Sequence, residues 1–179
     1  MTTANKLTIA RVIMIPVFLV VLYLELPHGA WWALGIFALA SLTDLLDGSI
    51  ARHYNQVTDF GKFMDPLADK MLVVAALCWF VERGQMAGWV LAVVLVREFA
   101  VSGMRLVAVE QGRVIAAGWS GKVKTAATMV CICLMLLLGE SWMPAPKTLN
   151  LICQGVILVT TVYSGIEYFA KNKDVFRTA

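Results

Sequence analysis

The chain divides into six apolar stretches joined by short polar segments, most of them close to the roughly twenty residues a helix needs to cross a bilayer. No other feature restricts its fold as strongly. A run such as "VIMIPVFLVVLYL", residues 12–24, offers water no polar face. Backbone placed in lipid must satisfy its own hydrogen bonds, which leaves helices as the available structure for such runs. Helices are expected over about Leu7–Leu26, Ala30–Leu42 with an acidic continuation, Met64–Glu82, Ala87–Val109, Lys122–Leu138 and Thr148–Phe169. The expected fold is all-α, a polytopic membrane protein of about six transmembrane helices. The loops are too short for a separate soluble domain, so residues 1–179 are taken as one membrane-embedded domain.

Composition favours one membrane domain over soluble ones. Hydrophobic residues make up 60% and charged residues 15%, against about half and a quarter in an ordinary soluble domain. The net charge is +3, and no nucleic-acid partner is expected. Cys78, Cys131, Cys133 and Cys153 all lie in apolar runs and are expected to be buried structural thiols. The first run has no small-residue cleavage site, so a retained span is expected, not a leader. Trp31, Trp32, Trp89 and Trp142 fall at the ends of runs, as aromatics of an interfacial belt do.

Lysine and arginine orient the chain. Lys6, Arg11, Arg52, Lys62, Lys70, Arg105, Arg113, Lys122, Lys124, Lys171, Lys173 and Arg177 fall on one side, and only Arg83 and Lys147 on the other. Twelve against two puts both termini and the segment near residues 48–63 on the cytoplasmic side.

That segment is the unusual one. "SLTDLLDGSIARHYNQVTDFGKFMDPLADK", residues 41–70, carries five aspartates in a chain otherwise suited to lipid. Asp44 and Asp47 are three apart and Asp65 and Asp69 four apart, so each pair shares one helical face. Two such faces brought together gather four negative charges that repel in a low-dielectric site. One or two divalent cations relieve that repulsion, and oxygen-only ligands favour magnesium or manganese. Single residues have simpler explanations. Asp65 before Pro66 suits a helix N-cap. Asp44 and Asp47 could pair with Arg52 or Lys62, and Asp59 suits a solvated loop. The four together do not fit these roles. Gly48, Ala51 and Gly61 leave room beside the backbone, and Arg52 supplies a fork suited to phosphate. Metal, arginine and open backbone describe a diphosphate site.

Residues 44–69 read Asp-x2-Asp-Gly-x2-Ala-Arg-x8-Gly-x3-Asp-x3-Asp, eight fixed residues over 26 positions. This resembles the signature of the CDP-alcohol phosphotransferases at every fixed position. The later stretch "REFAVSGMRLVAVEQGRVIAAGWSGKVKT", residues 97–125, resembles the phosphatidylglycerophosphate-forming branch of that family, more by texture than by a strict motif. The resemblance implies that Asp44, Asp47 and Asp65 hold two Mg2+ or Mn2+ ions, with Asp69 completing the metal site and acting as the catalytic base. It implies that Gly48, Ala51, Arg52 and Gly61 line the CDP-diacylglycerol pocket, with Thr58, Asn5 and Thr8 as further contacts. The activity so implied moves a phosphatidyl group from CDP-diacylglycerol to glycerol 3-phosphate at the inner face of a bacterial cytoplasmic membrane. Membrane lipids are the surroundings, and a homodimer is implied by the resemblance alone.

A dianionic acceptor needs a basic pocket, for which Arg105, Arg113, Lys122 and Lys124 are the candidates. Each also suits simple anchoring at the cytoplasmic surface. Arg97 lies deeper and is expected to pair with Glu98 or the aspartates. Other acceptors remain open within the family: serine, inositol phosphate or phosphatidylglycerol. Membrane prenyltransferases also use aspartates, magnesium and a diphosphate, but need a longer chain and lack the Ala51-Arg52 and Gly61 spacing. A cation transporter would place its carboxylates near the midplane and has little use for Gly48 and Arg52.

Overall fold

The computed structural model describes the backbone of residues 3–24, 26–54, 59–113, 115–116, 118–139 and 146–176, and their side chains apart from residues 3–8, 44–54, 59–66, 69 and 176. Six helices follow in order: α1 (Thr3–Tyr23), α2 (Gly29–Tyr54), α3 (Asp59–Glu82), α4 (Gly88–Glu110), α5 (Trp119–Leu138) and α6 (Lys147–Lys171). A short 3-10 turn, Lys173–Phe176, ends the described chain. No strand occurs among the described residues.

The helices run alternately up and down, and polar contacts mark the two ends. At one end the Tyr23 hydroxyl, closing α1, donates to Glu82, closing α3. There too, Gln154 of α6 accepts from the Ala87 N–H at 2.9 Å and donates to the Gln85 carbonyl at 3.0 Å, tying α6 to the α3–α4 turn. At the opposite end Arg105 of α4 meets Tyr168 of α6. Helices α3 and α4 both finish on a glycine with left-handed backbone, Gly84 at φ 68° and Gly112 at φ 71°. Gln85 N–H reaches the Phe80 carbonyl at 2.8 Å and Arg113 N–H reaches that of Ala108 at 2.8 Å. These are the six-to-one closures that only a residue tolerant of positive φ forms cheaply.

The main core fills the half of the bundle where α1 and α3 finish and α4 and α6 begin, with Phe18, Phe37, Leu77, Phe80, Ile132 and Ile157 fully buried. Phe18 of α1 and Phe37 of α2 meet with ring centroids 6.0 Å apart. A smaller cluster of Val101, Met104, Ala108, Tyr168 and Val175 seats the 3-10 turn on α4 and α6. Around this core every helix shows large apolar side chains outward, among them Val20, Leu39, Met71, Phe99 (73% exposed), Val130 and Val159 (67% exposed). A soluble monomer rarely leaves so much apolar surface to water. Lipid is the solvent that such a surface fits. Among the described residues α5 and α6 are long and apolar enough to cross a membrane, and shorter apolar stretches cover Ile9–Tyr23 and Gly29–Thr43.

Three expectations change. Cys131 and Cys153 are buried and Cys133 half-buried, but Cys78 is exposed; an apolar run does not reveal which of its positions face outward, and a thiol is apolar enough for the outer face. Helix α3 begins at Asp59 and not near Met64, so Asp59 opens a helix where an acidic residue complements the dipole. Helix α5 begins at Trp119, three residues before the expected Lys122. Trp31, Trp32 and Trp89 are exposed in the first turns of α2 and α4, as belt residues would be; Trp142 lies outside the described residues.

Candidate active site

The backbone stays helical through both halves of the aspartate motif. Helix α2 continues past Leu42 to Tyr54, carrying Asp44, Asp47, Gly48, Ala51 and Arg52 in its last turns. Helix α3 carries Gly61, Asp65 and Asp69 in its first half. With α3 starting at Asp59, Asp65 stands inside a helix and is not its N-cap. Pro66 follows within the same helix, where the ring forfeits a backbone hydrogen bond. The bland explanation of Asp65 therefore falls. The side chains of all eight motif residues lie outside the described residues, as do those of Asn5 and Thr8 on α1, and Thr58 lies outside them altogether.

The motif sits at the end of the bundle where α2, α4 and α6 finish and α3 and α5 begin. Midway along α3 and α4, next to Asp69 in the chain, the described side chains build a charged cluster between helices. Glu98 of α4 is its centre. Its Oε1 accepts from Lys124 Nζ of α5 at 2.7 Å and from Arg97 Nη1 at 2.9 Å. Its Oε2 lies 3.6 Å from Lys70 Nζ of α3, and Lys70 also donates to the Ser102 hydroxyl. The expected Arg97–Glu98 pair is thus present within a larger group. Arg97 reaches it along a narrow path: a Cβ on Gly165 would stand 3.3 Å from its Cγ, and one on Gly121 would stand 3.5 Å from its Nη2. Small residues on α5 and α6 make room for the guanidinium stem.

The other expected acceptor contacts separate. Arg105 Nε donates to the Tyr168 hydroxyl at 3.1 Å, and its guanidinium lies 5.6 Å from the centre of that ring. Arg113 is exposed and lines a cavity of about 350 Å³ with Ser120, Glu167, Lys171 and Asn172, between the start of α5 and the end of α6. Lys122 is exposed on the first turn of α5, whereas Lys124 is buried. Arg11, also counted among the cytoplasmic charges, is buried on α1.

Sequence reasoning missed Lys70 and Tyr168 as partners and Glu98 as a hub. A lone carboxylate in the apolar run of α4 was the available sign, since such a group must find cations at its own depth.

The donor chemistry of the motif fits a hard divalent cation: four carboxylates, two on each of two consecutive helices, with no histidine or cysteine in the segment but His53. Among the described residues no three His, Cys, Asp or Glu side chains come together, so the fit rests on these four positions.

Comparison with known proteins identifies the chain's relatives. The sequence profile described as CDP-alcohol phosphatidyltransferase matches residues 1–166. A CDP-diacylglycerol–glycerol-3-phosphate 3-phosphatidyltransferase of Bacillus subtilis (strain 168) is 37% identical, covering 98% of this chain and 97% of that protein. The protein of the same name from Escherichia coli (strain K12) is 37% identical over 92% of this chain and 91% of its own length. A probable phosphatidylglycerophosphate synthase of Mycobacterium tuberculosis (strain ATCC 25618 / H37Rv) is 38% identical over 94% and 80%. With its full aspartate signature on two consecutive helices and a match over nearly its whole length, this chain belongs to the CDP-alcohol phosphatidyltransferase family.

Proposed function

We propose that the protein transfers the phosphatidyl group of CDP-diacylglycerol to sn-glycerol 3-phosphate, giving phosphatidylglycerophosphate and CMP. One observation carries this: an unbroken signature on helical backbone at the bundle end where buried and exposed cations also gather, in a chain 37% identical to transferases of that name.

The residues divide the work by chemistry. Arg52 offers a planar fork to the diphosphate, and Gly48, Ala51 and Gly61 let it approach the backbone. Asp44, Asp47, Asp65 and Asp69 would hold two Mg2+ or Mn2+ ions, which when bound supply charge neutralisation to the diphosphate and the departing CMP. Asp69 takes the proton of the acceptor hydroxyl as that oxygen bonds to the phosphorus bearing the diacylglycerol, and the bond from that phosphorus to CMP breaks. Lys124 and Arg105 offer positive charge to the acceptor's phosphate, with Arg113 and Lys122 nearer the aqueous entrance.

The lipid and the sugar phosphate meet only at an interface, so the site belongs at the cytoplasmic surface of a bacterial membrane crossed six times. The charge bias of twelve to two supports that orientation. With the native cysteines replaced, a cysteine at Glu110 should react with membrane-impermeant thiol reagents only from the cytoplasmic side. One at Arg83 should react only from outside; both positions are exposed. The reverse pattern would cut the site off from its soluble substrate and end this reading.

A further inference from the structure

Among the described residues three cations, Lys70, Arg97 and Lys124, share the single carboxylate of Glu98. The side chains of Lys124, Arg97 and Glu98 are only 5%, 12% and 17% exposed, and that of Lys70 is 37% exposed. A charge with so little exposure is costly unless something of opposite sign meets it.

The geometry indicates where that partner enters. The Lys124 ammonium has three N–H donors, and among the described residues it gives a hydrogen bond only to Glu98. Its other donors meet no described side chain, on a lysine with almost no exposure. Arg97 is confined by Gly121 and Gly165, and its buried Nε has no hydrogen-bond partner. It cannot swing away to release Glu98. Lys70 directly follows Asp69 in the chain, so the same carboxylate also restrains α3 beside the proposed base.

Resting on the phosphatidyl-transfer reading above, we propose that Glu98 is a positioning residue for the acceptor. It anchors the Lys124 ammonium between α3, α4 and α5 so that the remaining donors meet the phosphate of a small phosphomonoester. Glu98 does not touch the acceptor, because a carboxylate facing a phosphate dianion would repel it. Lys124 carries the contact and Glu98 fixes where it is made. A freely rotating lysine would lose rotamer freedom on each binding event; an anchored one has already lost it.

Full-length Glu98→Gln, Glu98→Asp, Lys124→Gln and the Glu98→Gln/Lys124→Gln double variant, purified in detergent, test this. Glu98→Gln and Lys124→Gln should each raise KM for glycerol 3-phosphate about tenfold while moving KM for CDP-diacylglycerol less than about twofold. The double variant should be within about twofold of the worse single one, because both remove the same interaction. Glu98→Asp, which keeps the charge, should recover most of the loss. Additive single effects, equal rises in both KM values, or no benefit from Asp over Gln would reduce Glu98 to a structural ion pair and overturn the proposal. If Glu98→Gln does not fold, Glu98→Asp still decides beside Lys124→Gln: its shorter reach should raise the acceptor KM about threefold and leave that for CDP-diacylglycerol unmoved, and an acceptor KM unchanged in either variant overturns the role. A wild type that makes no CMP with glycerol 3-phosphate overturns the transfer reading as well. An active wild type with additive variants removes only Glu98.

Discussion

Asp69→Asn should fold, bind CDP-diacylglycerol and turn over about a thousandfold more slowly than the parent, within the range for loss of a general base. The substitution keeps size and hydrogen bonding but removes the group that accepts the hydroxyl proton. Asp69 is placed within α3 four residues beyond Asp65, positions that share one helical face. Lipid binding should survive, because the diphosphate is assigned to Arg52, Gly48 and their neighbours. The check is single-turnover CMP release beside equilibrium binding of CDP-diacylglycerol. Near-normal CMP release by Asp69→Asn would remove its role as base.

Metal removal should have an equally large effect. Dialysis against a chelator should abolish CMP release, and Mg2+ or Mn2+ should restore it while the helical content stays constant. Asp44→Asn should raise the Mg2+ concentration for half-maximal rate by about a hundredfold or more, since even partners one shell removed from a metal typically contribute 10–100-fold. The two substitutions then differ in kind. Excess Mg2+ should partly rescue Asp44→Asn, and rescue Asp69→Asn far less, because a missing base is not replaced by more metal. Full activity in chelator would refute the proposed metal site, leaving the four carboxylates without the cations that balance them.

Much of this was legible in the sequence because lipid allows few choices. An apolar run in a bilayer must be a helix, and six runs became six helices. Their ends were less legible. A helix start was expected near Met64, with Asp65 before Pro66 suiting an N-cap, yet α3 begins at Asp59 and carries the proline inside. In membrane helices neighbouring groups can re-satisfy the backbone that proline leaves open, so its power as a boundary marker falls.

The site divided in the same way. The aspartate spacing is local, and helix geometry alone turns it into two acidic faces. The partners of the basic residues are not local. Lys124 lies 26 positions from Glu98, and Arg105 lies 63 from Tyr168. Charge count placed these cations at one end of the bundle, but only packing of α4 against its neighbours decides which is buried and paired and which meets water. Lys122 and Lys124, two residues apart, went opposite ways for that reason: one is exposed, the other buried. Cys78 is the apolar counterpart, a residue whose run was correctly read and whose outward face was not.

The central claim is phosphatidyl transfer to a phosphate-bearing acceptor. Purified protein in mixed micelles with CDP-diacylglycerol and Mg2+ can be offered glycerol 3-phosphate, serine, inositol phosphate or phosphatidylglycerol, with CMP and new lipid measured together. The account predicts one CMP for each phosphatidylglycerophosphate formed, at a rate with glycerol 3-phosphate at least about tenfold above serine, which leaves the charged subsite unfilled, and above the other two acceptors as well. Preference for serine, or CMP release indifferent to the acceptor, would contradict it.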